Sequence, residues 1–375
     1  MSLWILNSFF AMLLSILFAG ILIPQILLIS FRKRLFDTPD ERKIHKMAVP
    51  RLGGFAFTPV IILTVSLLFG ISILSDNTEL ENDVWANSQV ISFGICALLI
   101  MYLTGMADDL IGIRYSAKFF IQIFCSILII GAGIGVTNFH GVLGIHEISP
   151  WIGIPFTIVL VVYVVNALNL IDGIDGLASG LASATLIIYG SAFLIIDQPI
   201  YAIISFAALG ALIQFFYYNV FGDPKRGKKI FMGDTGSLTI GLLIVLLGLV
   251  LLMRSPEKFP QFQTNPVILV ISPLIIPSFD VARVFLYRIR MHGNPFMPDK
   301  NHIHHKLLAI GLKQRMSMVL IVISSVVFSV INIFVSKYIN VNLLLLIDIL
   351  IWTLVNMWLS RQIRNRKNKA QANFG

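Results

Sequence analysis

The sequence predicts an all-α polytopic membrane protein, and three observations predict it. Of its 375 residues, 57% are hydrophobic and only 13% charged, with a mean hydropathy of +0.86; a soluble chain of this length does not need so much apolar surface. Apolar stretches of about twenty residues, the length that crosses a bilayer as a helix, recur to the end of the chain. No repeated short alternation points to a barrel instead. The two cysteines, Cys96 and Cys125, lie inside apolar runs, so neither a disulfide framework nor a zinc site is indicated. The net charge of +9 does not call for nucleic acid, because the basic residues cluster in short loops between apolar runs.

The elements follow in order. The run from Leu3 to Ile29 exceeds a signal-peptide core and lacks both a basic start and a small-residue cleavage site, so it is expected to stay as the first span. Further spans are expected near 54–75, 89–107, 119–137, 151–167, 181–197, 200–220, 237–253, 265–287, 317–336 and 341–360. That makes about eleven transmembrane helices, in one integral-membrane domain over 1–360 with a basic tail over 361–375. Alternate loops divide the cations unequally. Every Lys and Arg falls at 31–53, 108–118, 168–180, 221–236, 288–316 or the tail, except Arg254, Lys258, Lys337 and the in-span Arg283. By the positive-inside rule this set is cytoplasmic, the N-terminus outside and the C-terminus inside. The acidic loop from Asp76 to Asp83 then falls outside.

The polar motifs lie on that same face. NALNLIDGIDGLASG, Asn166 to Gly180, puts Asn166, Asn169, Asp172 and Asp175 where the chain borders hydrocarbon. Ionisable groups there are costly and mark a functional site by default; the plainer alternative is a small-residue helix interface whose Asp side chains cap a helix start. The loop before the second span ends in KMAVPRLGG, where the turn can hold Lys46 and Arg51 against a phosphate. Asp108 and Asp109 are adjacent at a span end with Lys118 following, an arrangement that a cation or proton relieves, or else a helix cap. FMGDTGSL opens a span, so Asp234 either binds a metal that holds phosphate or caps the helix, and Phe231 can stack on a flat base. His302, His304 and His305 follow His292 in a long loop and are too crowded for one metal, which favours phosphate contact or proton transfer. Asp280 and Arg283, three apart in a span, are expected to pair. Carboxylates with few further ligands suit Mg²⁺, with Mn²⁺ as a substitute, and cations around it suit a pyrophosphate. The chemistry implied is metal-assisted phosphoryl transfer at a membrane surface, with one substrate from water and one from lipid.

HKMAVPRLGG, the Asp108–Asp109 pair with Lys118, NALNLIDGIDGL, FMGDTGSL and PFMPDKNHIHHKL together resemble the polyprenyl-phosphate N-acetylhexosamine-1-phosphate transferases, glycosyltransferase family 4, in order and over about 280 residues. The histidine loop and the Val-Pro-Arg-Leu-Gly-Gly turn resemble the WecA/TagO branch rather than the phospho-MurNAc-pentapeptide (MraY) branch. The resemblance implies a bundle of ten or eleven helices with a cytoplasmic cleft in the bacterial inner membrane. Its implied activity is transfer of a HexNAc-1-phosphate, GlcNAc first, from a UDP-sugar to undecaprenyl phosphate with release of UMP, in O-antigen or other envelope polysaccharide synthesis. A homodimer is compatible with the resemblance.

By the same resemblance Asp234 would bind Mg²⁺, with Asn169 completing the coordination. Asp172 and Asp175 would line the nucleotide pocket with Asn166, and Phe231 would stack on uracil. Lys46, Lys118 and Arg51 would neutralise the pyrophosphate, Asp108 and Asp109 would orient or deprotonate the lipid phosphate, and His302, His304 and His305 would contact the sugar phosphate or leaving group. Two rivals belong to other classes. An intramembrane prenyltransferase has no use for the histidine loop or Phe-Met-Gly-Asp. A lipid-linked sugar transporter predicts cations in mid-span.

Overall fold

Hydrocarbon offers the backbone no hydrogen-bond partners, so an apolar run that crosses a membrane must satisfy its own amides as a helix. The computed structural model describes residues 2–36, 49–75, 78–256, 259, 263–292 and 301–372. Among these the regular structure is helical, apart from isolated bridges between Asn138 and Glu147 and between Phe259 and Thr264. The chain is a multi-pass membrane protein: among the described residues ten helical stretches, Pro266–Arg290 counted as one, are long and apolar enough to cross a membrane. In order the helices are α1 Ser2–Lys33, α2 Phe57–Leu74, α3 Thr78–Ala86, α4 Ser88–Ile111, α5 Tyr115–Gly131, α6 Pro150–Ile171, α7 Leu177–Ile195, α8 Pro199–Phe216, α9 Gly233–Arg254, α10 Pro266–Ile271, α11 Ile275–Arg290, α12 Ile303–Ala309, α13 Gln314–Val335 and α14 Val341–Ala372. The shorter apolar helix α5 falls where a span was expected at 119–137. With it, the helices follow the expected spans one for one.

Four boundaries differ from expectation. Helix α5 ends early because Gly133 turns at φ +80°, and the chain then folds back on itself, Phe139 N donating to His146 O at 2.8 Å and Ile148 N to Thr137 O at 2.9 Å. The acidic loop contains a helix, α3, whose Glu79 and Glu81 sit in the first turn, where the helix dipole favours them. The ninth span is broken into α10, a 3₁₀ turn at Ser272–Leu274 and α11, because Pro273 and Pro277 supply no N–H to the ladder. The tail is not separate at 361: α14 runs through to Ala372, since the sequence there has good helix formers and neither Pro nor Gly.

Helix α9 is the axis of the bundle. Every residue from Thr235 to Leu251 is buried, the signature of a helix apolar all round and enclosed by others. It packs chiefly on α4 and α6, while α1 packs on α8. Faces of α1, α13 and α14 leave large apolar side chains uncovered, among them Phe9, Ile323 and Leu354. Small residues permit the closest approaches: a Cβ on Gly105 of α4 would overlap the backbone at Thr235, and one on Gly54 would overlap that of Gly236.

Contacts between the described loops gather at two ends of the bundle. At one end the Pro50–Gly54 turn pairs with the entry to α9, Phe231 N donating to Pro50 O, Gly53 N to Phe231 O and Gly54 N to Met232 O, at 2.8, 2.9 and 2.8 Å. At the other, Ile200 N donates to Asp83 at 2.9 Å, Arg254 to Asn87 at 3.1 Å and Asn342 to Gly141 O at 2.9 Å.

Candidate active site

The first end is organised by the start of α9. Its N-terminal residue Gly233 has φ +72° and lies close on Arg51 O and the Asp109 carboxylate, so no side chain fits there. A helix start exposes amides without partners, and here the cap comes from another helix. Asp109, in the last turn of α4, accepts Asp234 N at 2.8 Å, Thr235 N at 2.9 Å and Thr235 Oγ1 at 2.6 Å. Both its oxygens are engaged. Asp109, expected at the lipid phosphate or as a helix cap, thus caps the start of α9 in this structure.

Its neighbour Asp108 points into the cleft. The α4–α5 connection turns at Gly112, φ +73°, and returns Ile113 N to Asp108 Oδ1 at 2.7 Å. Asp108 Oδ2 and Asp234 Oδ2 then meet on the single ammonium of Lys118, from the first turn of α5. Like charges can stand together because a cation lies between them. Asn169, on the last turn of α6, donates Nδ2 to Asp234 Oδ1 at 3.2 Å and to Ser237 Oγ at 2.8 Å, leaving its carbonyl oxygen for another partner. Asp108, Lys118, Asn169 and Asp234 thus come together from four helices.

This donor set fits a magnesium ion. Two carboxylate oxygens, one each from Asp108 and Asp234, already converge on one positive charge, the Lys118 ammonium. Among the described residues no three His, Cys, Asp or Glu side chains gather as a metal cage. Mg²⁺ does not need one, since it takes one or two carboxylates and shares substrate phosphates and water.

Beyond α6 the chain turns tightly, with Gly176 at φ +78° before α7. Asp172, half-buried in this turn, is pushed up to about 7 by burial, with Asp234 adding, Arg51 opposing, and Asp175 and Asp109 adding less. Asp175 pairs with Lys229 at 2.5 Å, the side chains being 13% and 11% exposed. Sequence reasoning missed Lys229, which looked like any other cation of a basic loop. It also missed Asn219, which joins the same turn to the chain before Phe231. Phe231 is half-buried at the mouth, beside exposed Arg51. Asn166 is placed differently from expectation. Its amide donates to Gln122 Oε1 at 2.6 Å and Val162 O at 2.7 Å, tying α6 to α5 a turn away from Asn169. Lys46 lies outside the described residues, as does 293–300 of the histidine loop.

The remaining histidines reach this turn through α12. Asp280 pairs with Arg283 at 2.8 Å, as expected, and it does more. It holds His302 Nδ1 at 2.8 Å and accepts Ile303 N at 3.1 Å, so the buried carboxylate caps α12. His304 lies against Gly173, where a Cβ would collide with the ring. Both its ring nitrogens are buried, with no hydrogen-bond partner among the described residues. Burial pushes it down to about 3, with His305 and His302 adding and Asp280 opposing, which favours the neutral imidazole. His305 is half-buried against it, ring centroids 4.2 Å apart. Lys306 donates to Asn356 and Ser360 of α14, both at 3.1 Å, so the last helix braces the histidine turn.

The comparisons fall on the same segments. A family model described as "Glycosyl transferase family 4" matches residues 90–252, the stretch from α4 into α9 that carries Asp108, Lys118, Asn169, Asp172 and Asp234. The chain is 30% identical over 328 residues to the "Probable undecaprenyl-phosphate N-acetylglucosaminyl 1-phosphate transferase" of Bacillus subtilis (strain 168), covering 85% of this chain and 82% of the relative. It is 30% identical over 305 residues to the "Decaprenyl-phosphate N-acetylglucosaminephosphotransferase" of Mycobacterium leprae (strain TN), covering 76% and 72%. With the "Undecaprenyl-phosphate alpha-N-acetylglucosaminyl 1-phosphate transferase" of Escherichia coli (strain K12) it shares 27% over 354 residues, 91% and 89% of the two chains.

Proposed function

Because the chain belongs to glycosyl transferase family 4, we propose that it transfers GlcNAc-1-phosphate from UDP-GlcNAc to undecaprenyl phosphate, releasing UMP. The product is undecaprenyl-pyrophosphoryl-GlcNAc, the first lipid-linked unit of an envelope polysaccharide such as O-antigen. The observation that carries this reading is the meeting of Asp108, Lys118, Asn169 and Asp234 at the start of the most enclosed helix. The donor sugar and undecaprenyl acceptor follow the names of the relatives. The cleft is read as cytoplasmic, in the inner membrane, from the cations of its loops.

Asp234, with Asp108 and the Asn169 side-chain oxygen as further donors, would hold Mg²⁺, which would supply charge neutralisation for the diphosphate. The chain's own residues do the rest. The lipid phosphate, with a second pKa of about 6, is largely a dianion at neutral pH and needs no base to attack. One of its oxygens forms a bond to the sugar-bearing phosphorus; the bridging P–O bond breaks, and its electron pair leaves on UMP. Lys118 and Arg51 offset the charge that gathers on the diphosphate and the departing phosphate. Phe231 gives the uracil a face to stack on, and Asp172 and Asp175 border the nucleoside. His302, fixed by Asp280, and His304, packed against Gly173, are buried and would hold the turn beside the sugar phosphate. Their contribution is alignment of two reactants from different phases.

The test is UMP release by purified protein given undecaprenyl phosphate, a panel of UDP-HexNAc donors and Mg²⁺ or Mn²⁺. UMP is expected only when lipid, metal and a donor are all present, with UDP-GlcNAc preferred. Release of UDP would mean transfer of the sugar without its phosphate and would overturn the reading.

A further inference from the structure

Two buried polar contacts join the halves of the cleft, made by Asn219 and Lys229, which are not among the residues assigned to face it. Helix α8 ends in a π-helical turn at Tyr217–Phe221, a distortion that redirects a side chain and often marks a functional region. The redirected residue is Asn219, 5% exposed. Its Oδ1 accepts Gly176 N at 2.6 Å, and its Nδ2 donates to Ile230 O at 2.8 Å. Just before Ile230, Lys229 crosses the same gap to Asp175. One amide and one ion pair therefore clasp the Asp172–Gly176 turn to the segment that delivers Phe231 and Asp234. Gly222 supports the arrangement, since a Cβ there would overlap the backbone of Lys228 and hold the segment off. A buried ion pair is a poor device for stability alone, because desolvating both charges offsets their attraction. Fixing a geometry is the use that its place suggests.

We propose that Asn219 and Lys229 are positioning residues for the nucleotide half of the site, setting the spacing between the Asp172–Asp175 wall and the Phe231 face. This rests on the reading that the cleft takes a UDP-sugar. Neither residue touches the reacting atoms; both act through Asp175, Gly176 and Ile230.

The experiment compares full-length wild type with K229M, K229Q, K229R, D175N and K229M/D175N in lipid nanodiscs. It measures UMP binding by calorimetry, donor KM and kcat, and the thermal midpoint. Loss of one charge-assisted contact is expected to weaken UMP about tenfold in K229M and to raise donor KM by more than it lowers kcat. K229R should recover most of the affinity, and K229M should add little to D175N, since both act on one carboxylate. K229Q keeps a polar partner on Asp175 and serves the same comparison if K229M does not fold. A lowered thermal midpoint with unchanged UMP affinity and donor KM would make Lys229 structural only and overturn the proposal, as would full independence of K229M and D175N. Wild type that neither binds nor releases UMP would instead overturn the proposed function, and this inference with it.

Discussion

Asp108 and Asp109 are adjacent carboxylates at one helix end, yet the structure gives them separable work. Asp109 accepts three hydrogen bonds at the start of α9, while Asp108 shares the Lys118 ammonium with Asp234. D109A should therefore lower stability by about 1–2 kcal/mol, the cost of a lost helix cap, visible as a lower thermal midpoint. D108N should leave the midpoint nearly in place and abolish most UMP release. Equal midpoint losses in both would undo the distinction. D234N should also remove turnover, and near-normal rates there would end its assignment to the metal. Asp172 adds a pH dependence. Its carboxyl sits at about 7, so it is neutral at pH 6 and charged at pH 8. Because the folded value lies above the unfolded one, the folded state holds the proton more firmly, and this group's contribution to stability falls as pH rises toward 7. The same ionisation sets an anion against an anionic donor. Donor KM should rise between pH 6 and 8 in the wild type and rise less in D172N; parallel profiles would remove Asp172 from the pocket.

At the scale of elements, the site depends on three backbones meeting without side chains between them. Gly54 and Gly105 press on the first turn of α9, and what each would strike is backbone, which cannot rotate away. G54A and G105A should each cost about 1–3 kcal/mol, the usual penalty of overpacking, measurable as lost thermal stability together with lost metal affinity. An unchanged midpoint would mean that the contact is looser than described. These contacts also mark what could be read in the sequence. The spans were legible because hydrocarbon thickness sets the length of apolar runs. Asp108, Asp172, Asp234 and the histidines were legible because polar groups at span ends are costly unless used. Asn219, Lys229, Gln122 and the distant helix start that Asp109 caps were not. Their partners lie far along the chain, 54 residues from Lys229 to Asp175 and 125 from Asp109 to Asp234, and packing alone brings them together. Asn219 sits in an apolar, aromatic run and Lys229 in a basic one, so neither differs locally from a side chain without such a task.

The whole molecule divides by ends. One end gathers the acids, amides and histidines around the start of α9. The other is bound by Asp83, Asn87 and Arg254 and by the Asn342 contacts to the loop after α5. A transferase with a water-borne donor needs only one of these ends, and the cations nominate which. Lys225, exposed between α8 and α9, belongs to the site end. Lys337, exposed between α13 and α14 with its ammonium 4.5 Å from the Tyr338 ring centroid, belongs to the other. K225C should react with a membrane-impermeant maleimide only in inside-out vesicles, and K337C only in right-side-out ones. Cys125 is buried and Cys96 lies within the span of α4, so neither native thiol should blur the result. K337A should leave UMP release within about twofold, as surface changes away from a site do. Labelling of both cysteines from one side would break the alternation of spans. Labelling with the sides reversed would keep the fold but put the cleft on the face without the nucleotide donor, and the acceptor chemistry would have to be argued anew.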